Sequence, residues 1–185
     1  MAKYFERQTL ETTEVVFNAK KVKWDMPCIQ VTHKAPKALR ATMLLMGRNM
    51  KIETKAFNVT PYSVALNEGA DCIGYLIHDQ TLGDYEEMYA NIVGGACFRW
   101  RQWEGQNPNW WLQWVWIFPS YRNHGMFDRI KMGRNLSLMD KAWEVFERHH
   151  PEFIVEGPYS QAMRAFLKKS PDRMKRCPNP KWLEK

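Results

Sequence analysis

The sequence predicts a mixed α/β domain, in which helices flank a central sheet, and three observations carry that prediction. Residues 110–118 form an apolar run of aromatic and β-branched side chains that is too short for a typical helix. Pro119 ends this run, because proline cannot donate to a sheet ladder. A short polar turn follows, and apolar residues take up helical spacing from Gly125 onwards. A strand, a tight turn and a helix in succession are typical of such a domain.

Length and composition suit a single domain. The chain has 185 residues, of which 45% are apolar and 25% charged, as in an ordinary soluble globular protein. No stretch approaches the length of a membrane span, and the first residues lack the apolar core of a signal peptide. We therefore expect a cytoplasmic protein without a membrane partner. The 4 cysteines are widely separated, which indicates free thiols and no bound metal.

Basic residues are concentrated near the end of the chain. Positions 168 to 185 hold seven basic side chains and two acidic ones, which accounts for most of the net charge of +7. We divide the chain into one domain over residues 1–167 and a basic tail over residues 168–185. Such a tail is typical of a solvated surface, and the alternative interpretation is attraction to an acidic partner such as nucleic acid.

Local patterns predict the secondary structure of the first part of the chain. A short strand is expected within residues 14–22, and clearer alternation predicts a second strand at 28–32. Pro36 then opens a helical pattern that Gly47 is expected to stop.

A pair of hairpins is predicted in the middle of the chain. Strands are expected at residues 71–78 and 91–100, and the polar segment between them has a turn signal at Gly83–Asp84. Residues 105–108 then turn the chain into the aromatic strand at 110–118.

Aromatic side chains dominate that strand, since six of the 9 tryptophans fall between positions 100 and 116. The two-residue period of a strand predicts one shared face for Trp110, Leu112, Trp114, Trp116 and Phe118. An aromatic face is typical of a base-stacking platform or of a sheet covered by helices, and we favour the covered sheet. Gln113 is the polar exception on the other face, so we expect it to face a cleft.

Helical spacing continues from Gly125 towards His150. Ser137 and Asp140 have the spacing of a capping box, which indicates a helix start within this stretch. His149 and His150 are interpreted as residues favoured by the dipole at a helix C-terminus. Beyond this helix the pattern predicts a strand and a further helix, at residues 153–156 and 161–169.

The turn after the aromatic strand is a candidate anion site. A strand-to-helix turn leaves backbone N–H groups unpaired, with the positive end of the helix dipole behind them. Such a terminus suits phosphate, and Arg122 would add positive charge beside it.

These residues also resemble a known motif. The strand ending in Phe-Pro, followed by Tyr-Arg-x-x-Gly-Met, is similar to the acetyl-CoA-binding signature of the GNAT superfamily of N-acyltransferases. That signature reads Arg/Gln-x-x-Gly-x-Gly/Ala; Arg122 and Gly125 match it, whereas Phe127 stands where a small residue is usual. The resemblance covers residues 71–166 and implies acetyl-CoA or another acyl-CoA as co-substrate. The residues it assigns to the cofactor are Val115, Ile117, Arg122, Asn123, His124, Gly125, Met126 and Phe127.

The resemblance also implies where acyl-CoA would lie. In GNAT proteins the strand after the long helix splays from the aromatic strand, and acyl-CoA occupies the gap. A backbone N–H at a bulge of the aromatic strand polarises the thioester carbonyl. Phe166 stands about where the family has a proton-donating tyrosine, so Tyr159, Ser160 or water is expected to replace it. The family's closing strand pair is expected to be shortened.

Acyl transfer to an amine needs a base that removes the amine's proton, and a carboxylate or a histidine can serve. Glu156 ranks first, because the expected topology puts it beside the cleft. The other candidates are Glu104, Asp84, Glu86, Glu87 and His78.

The sequence thus predicts an acyl-CoA-dependent N-acyltransferase acting on a primary amine of a small molecule or a protein. A relative that modifies an amine on nucleic acid is one alternative, motivated by the basic tail. A non-catalytic binding module is the other, motivated by Phe166 and the short C-terminus. The sequence leaves the acceptor and the oligomeric state open.

Overall fold

A computed structural model describes residues 12–55, 71–102, 105, 107–122, 137–157 and 159–183. Within these ranges the chain has a mixed α+β fold with one sheet of seven strands and four α-helices. The strands are β1 (Thr13–Phe17), β2 (Trp24–Asp25), β3 (Cys28–Val31), β4 (Cys72–Gly83), β5 (Met88–Arg101), β6 (Asn109–Ile117) and β7 (Ile154–Val155). The helices are α1 (Lys37–Thr54), α2 (Leu138–His149), α3 (Gln161–Leu167) and α4 (Pro171–Met174), and short 3-10 turns span Pro119–Tyr121 and Pro180–Leu183.

The sheet runs in the order β2-β3-β4-β5-β6-β7 and is mostly antiparallel. The long strand β5 pairs with β1 near its start and with β6 over the rest of its length. Among the strands that the structure describes, only β7 runs parallel to its neighbour, β6. Parallel neighbours need a long crossover connection, and α2 lies within the one that joins β6 to β7.

Each face of the sheet has its own apolar core. The α1-side core includes Met43 and Met46 of α1, packed on Trp114 and Trp116 of β6. The α2-side core includes Trp143, Phe146 and Phe153, together with Phe166 of α3. Most of the aromatic strand is therefore buried, as the covered-sheet interpretation expected.

Helix α1 is longer than the sequence predicted, because Gly47 lies inside it rather than at its end. Glycine costs about 1 kcal/mol in a helix interior. Met46 and Met50, on either side of it, are at most 4% exposed, and burying each such side chain gives about 1.5–3 kcal/mol. Tertiary burial thus outweighs the local signal, and α1 continues to Thr54.

A close approach of helix to strand explains one strand glycine. A Cβ on Gly74 of β4 would lie 2.8 Å from Cγ of Met43 on α1. Only a residue without a side chain leaves room for this contact, so Gly74 allows α1 to pack closely on the sheet.

The segment predicted as a basic tail is folded. Its α4 helix and 3-10 turn place Cys177 and Leu183 in the α2-side core. Arg173 donates to Asp140 at 2.8 Å, and its guanidinium carbon lies 4.0 Å from the centre of the Phe166 ring. Arg176 donates to Glu147 at 3.1 Å. Arg173 and Arg176 are therefore paired with carboxylates from outside the segment.

His149 and His150 contact the core, which differs from the role expected of residues at a helix end. Their ring nitrogens lie 3.0 Å and 2.9 Å from the hydroxyl oxygen of Tyr75, to which Gln30 also donates. Tyr75 has one proton to donate, so one histidine accepts it and the other donates to the oxygen. Desolvation lowers the pKa of His150 to about 4.

None of the helices in the ranges given above is both long and apolar enough to cross a bilayer.

Candidate functional site

The parallel strands β6 and β7 pair over a short region, and the point where β7 ends while β6 continues is here called the fork of β6 and β7. Their register joins Trp111 to Ile154 and Leu112 to Val155, and the N–H of Glu156 donates to the carbonyl of Leu112 at 3.0 Å. Strand β6 continues to Ile117 without β7 beside it. A cleft of about 280 Å³ opens at this fork.

Four elements supply the walls of this cleft. Helix α1 contributes Met50 and Thr54, and β6 contributes residues 112–115. The end of β7 and the chain that follows it contribute Val155 and Glu156. The start of α3 completes the cleft with Tyr159, Ser160 and Met163.

A β-bulge shapes the β6 wall. Cys97 of β5 pairs with Trp114 and Phe98 pairs with Leu112, so Gln113 is an extra residue without a partner in the register. A bulge redirects side chains and interrupts pairing, and such features are over-represented near active sites. Gln113 lines the cleft, as predicted, and its amide oxygen accepts from Nε of Arg99 at 2.8 Å.

Because of this bulge, the prediction that alternate residues of the aromatic strand share one face from Trp110 to Phe118 is wrong. Leu112 belongs to the α2-side core, whereas Trp114 and Trp116 belong to the α1-side core. The period of two holds on either side of Gln113 but not across it.

Glu156 lies in the cleft wall with its two carboxylate oxygens in different environments. Oε1 accepts a hydrogen bond from Arg101 at 2.7 Å. Oε2 is buried and has no hydrogen-bond partner in the part of the chain that the structure describes. The side chains of Arg101 and Glu156 are 29% and 22% exposed, so the pair is partly shielded from water.

Tyr159 and Ser160, the two expected proton donors, both line the cleft but are engaged locally. The hydroxyl of Tyr159 donates to the carbonyl of Val155 at 3.0 Å. Desolvation, helped by the neighbouring Cys177 thiol, raises the pKa of Tyr159 far above its ordinary value, so this phenol is a poor acid. Ser160 caps α3, because its hydroxyl oxygen accepts from the N–H of Met163 at 3.2 Å.

Arg122, the expected phosphate ligand, is bound by the protein itself. Its two terminal nitrogens donate to the two carboxylate oxygens of Glu53, and its Nε donates to the carbonyl of Ile117. Trp116 also donates to Glu53, at 2.6 Å. The hydrogen bond from Arg122 is the main cause that lowers the pKa of Glu53. Sequence reasoning missed Glu53, because the helix predicted from Pro36 was expected to stop at Gly47, whereas α1 continues to Thr54.

The remaining expected cofactor residues divide into three groups. Val115 lines the cleft. Ile117 is buried in the α2-side core and is not among the lining residues. The turn residues lie outside the described ranges; they are Asn123, His124, Gly125, Met126 and Phe127. The candidate base Glu104 also lies outside these ranges.

The other candidate bases lie outside the cleft lining. Asp84 accepts from two backbone N–H groups, at 2.8 Å and 3.0 Å, and closes the turn between β4 and β5. Glu86 pairs with Lys20 at 2.8 Å on the surface, and Glu87 accepts from Tyr89. His78 is fully buried on β4, and desolvation lowers its pKa to about 4.

No protein-family model matches this chain, and the comparison with curated proteins gives no match either.

Proposed function

We propose that this protein is a GNAT-like N-acyltransferase that transfers an acyl group from CoA to a primary amine. One observation carries the proposal. The fork of β6 and β7, the bulge at Gln113 and the carboxylate of Glu156 meet in a single cleft. Beyond Leu112 the described strands leave the β7 side of β6 unpaired, and this open edge offers the thioester a place to bind.

The bulge supplies the electrophilic side of the proposed reaction. In the described residues β7 pairs with β6 at Trp111 and Leu112 alone, so N–H groups of β6 that point to this edge from Gln113 onwards have no strand partner there. One of them polarises the thioester carbonyl and stabilises the oxyanion that forms when the amine attacks.

Glu156 supplies the base. Arg101 holds Oε1 and leaves Oε2 to accept a proton from the ammonium group of the acceptor. The neutral amine attacks the carbonyl carbon, and the tetrahedral intermediate collapses by breaking the bond between carbon and sulfur. Because Tyr159 holds its proton tightly, the departing thiolate takes its proton from water.

Phosphate binding is assigned to the turn that follows Arg122 rather than to the guanidinium of Arg122. Glu53 already neutralises this side chain and both its terminal nitrogens are used. We therefore assign Arg122 a positioning role beside the cofactor, and Gly125 and its neighbours keep the role that the resemblance gives them.

The alternative of a nucleic-acid acceptor has less support than it had from the sequence, since Arg173 and Arg176 pair with acidic groups of the same chain. The experiment below distinguishes this alternative, and the non-catalytic module, from the proposed function.

Calorimetric titration with CoA, followed by transfer of radiolabel from acetyl-CoA, tests the proposal. The acceptors are alkylamines, lysine peptides and RNA, each with an N-acetylated or amine-free control. We expect CoA to bind with a dissociation constant between about 1 μM and 1 mM and label to enter an amine. No CoA binding at millimolar concentration contradicts the proposal. Binding without transfer to any acceptor indicates the non-catalytic module, and label in RNA indicates the nucleic-acid enzyme.

A further inference from the structure

We propose that the cleft binds an aliphatic chain longer than acetyl, next to a nitrogen that donates to Glu156. The chain is either the acyl group of the thioester or the alkyl part of the amine. This inference rests on the proposed function for its chemistry, and its experiment has an arm that does not.

Apolar side chains from three elements line the cleft. Met50 comes from α1, Trp114 and Leu112 from β6, and Met163 from α3. Methionine has three rotatable bonds and a polarisable sulfur, so it adapts to apolar groups of different shape. Methionines on two different elements therefore suit an aliphatic chain of variable length.

The polar side chains that line the cleft mostly bond to the protein. The hydroxyl of Thr54 donates to the carbonyl of Met50 at 2.7 Å, and the hydroxyl of Tyr159 donates to the carbonyl of Val155. The amide oxygen of Gln113 accepts from Arg99. A highly polar ligand would therefore find few unused hydrogen-bonding groups on these walls.

Oε2 of Glu156 is the exception. This oxygen is buried without a partner in the described residues, and a buried acceptor without a donor is unfavourable. A ligand nitrogen that reaches it from the cleft would satisfy it. The cleft thus matches a ligand with one amine or ammonium group and an otherwise apolar body.

The size of the cleft points beyond acetyl. Its volume of about 280 Å³ far exceeds the roughly 15 Å³ that one water molecule needs on a comparable measure. An acetyl group has only two carbons and would leave most of the apolar wall without contact. A longer chain would bury that wall and gain affinity in proportion to its added methylenes.

The first arm of the test titrates the protein with free CoA and with acetyl-, butyryl- and hexanoyl-CoA. If the chain is the acyl group, the dissociation constant should fall up to about fourfold for each added methylene until the cleft is filled. If free CoA binds and the three thioesters bind with equal affinity, the chain is not the acyl group. That result leaves the proposed function intact.

The second arm uses no CoA, and so it remains informative if the proposed function fails. Propylamine, butylamine and hexylamine are titrated while tryptophan fluorescence is followed, since Trp114 lines the cleft. If the chain belongs to the amine, affinity should rise with length, and Glu156→Gln should weaken binding of every amine. Chain-length independence in both arms overturns the inference.

Substitutions of residues that line the cleft test whether the dependence of affinity on chain length arises in the cleft. Met163→Trp should flatten the length dependence while free CoA still binds, and Met174→Trp should leave it unchanged, because Met174 is an exposed residue of α4 outside the cleft lining. Thr54→Leu narrows the cleft from the opposite wall at an exposed position and serves if Met163→Trp does not fold. A length dependence that survives both cleft substitutions contradicts the inference.

Discussion

Arg122 and Glu53 form a bidentate ion pair, with nitrogen-to-oxygen distances of 2.6 Å and 2.5 Å. The pair joins the last turn of α1 to the chain just after β6, and Trp116 donates to the same carboxylate. Two residues of α1 that line the cleft, Met50 and Thr54, lie on either side of Glu53 in sequence. The pair therefore fixes the α1 wall of the cleft relative to the β6 wall.

Removing either partner of this pair should destabilise the fold. We expect Glu53→Gln or Arg122→Gln to cost about 1–2 kcal/mol in the free energy of unfolding, since both side chains are only partly exposed. Urea denaturation measures this loss, with Glu152→Gln as the exposed control. The double variant should lose less than the sum of the single losses, and strict additivity would show that the two groups do not couple.

We expect the carboxylate of Glu156 to be needed for turnover and not for CoA binding. Glu156→Gln keeps the shape of the side chain and its contact with Arg101, so CoA affinity should be unchanged. Turnover should fall about 10²-fold or more if this carboxylate is the general base. Label-transfer assays measure the effect, and Glu152→Gln, an exposed glutamate on the same segment, should behave as the parent. Parental turnover in Glu156→Gln would return the role to Glu104 or to water.

The buried histidines predict sensitivity to acid. Desolvation lowers the pKa of His78 and of His150 to about 4, whereas the unfolded chain binds a proton at each near pH 6.5. Unfolding therefore takes up protons below pH 6.5, and stability should fall as the pH drops towards 4, by up to about 3 kcal/mol for each group. Urea denaturation at about pH 7, 6 and 5 measures how steeply the free energy of unfolding changes with pH. His78→Leu should reduce this slope, because it removes one of these two buried imidazoles.

Because the C-terminal segment is folded, we expect its basic residues to differ in how much they contribute to the stability of the protein. Arg173 pairs with Asp140 and stacks on Phe166, and the two charged side chains are 17% and 13% exposed. Arg173→Ala should therefore cost about 2–3 kcal/mol. Lys175 is 76% exposed and pairs with Asp172 on the surface, so Lys175→Ala should cost almost nothing. Equal melting temperatures for the two variants would indicate that the segment behaves as the solvated tail predicted from sequence.

Features determined by neighbouring residues were predictable from sequence. The strands at 28–32 and 91–100 and the turn at Gly83–Asp84 correspond to β3, β5 and the end of β4. The capping box is also confirmed, because Ser137 and Asp140 bond reciprocally at the start of α2. Caps, turns and alternation act over a few residues, so a linear pattern contains the information that they need.

Features determined by distant residues were not predictable. Gly47 continues a helix because the sheet buries the methionines beside it. Glu53 meets Arg122 across 69 positions, and His149 and His150 meet Tyr75 across 74 and 75. No local pattern encodes such pairs, since they exist only after α1 and α2 pack on the sheet. The cleft itself was expected from the resemblance, and Gln113 was its one polar signal in the sequence.

The bulge at Gln113 has a further consequence for how this strand tolerates change. Because one unpaired residue separates the two halves of β6, each half keeps its own alternation of faces. Deleting Gln113 would remove the bulge and make Leu112 and Trp114 neighbours in sequence. Regular alternation would then keep Leu112 in the α2-side core and Trp114 and Trp116 in the α1-side core. Gln113 is thus the residue that β6 could lose while keeping its buried faces, and its loss would alter the cleft wall rather than the cores.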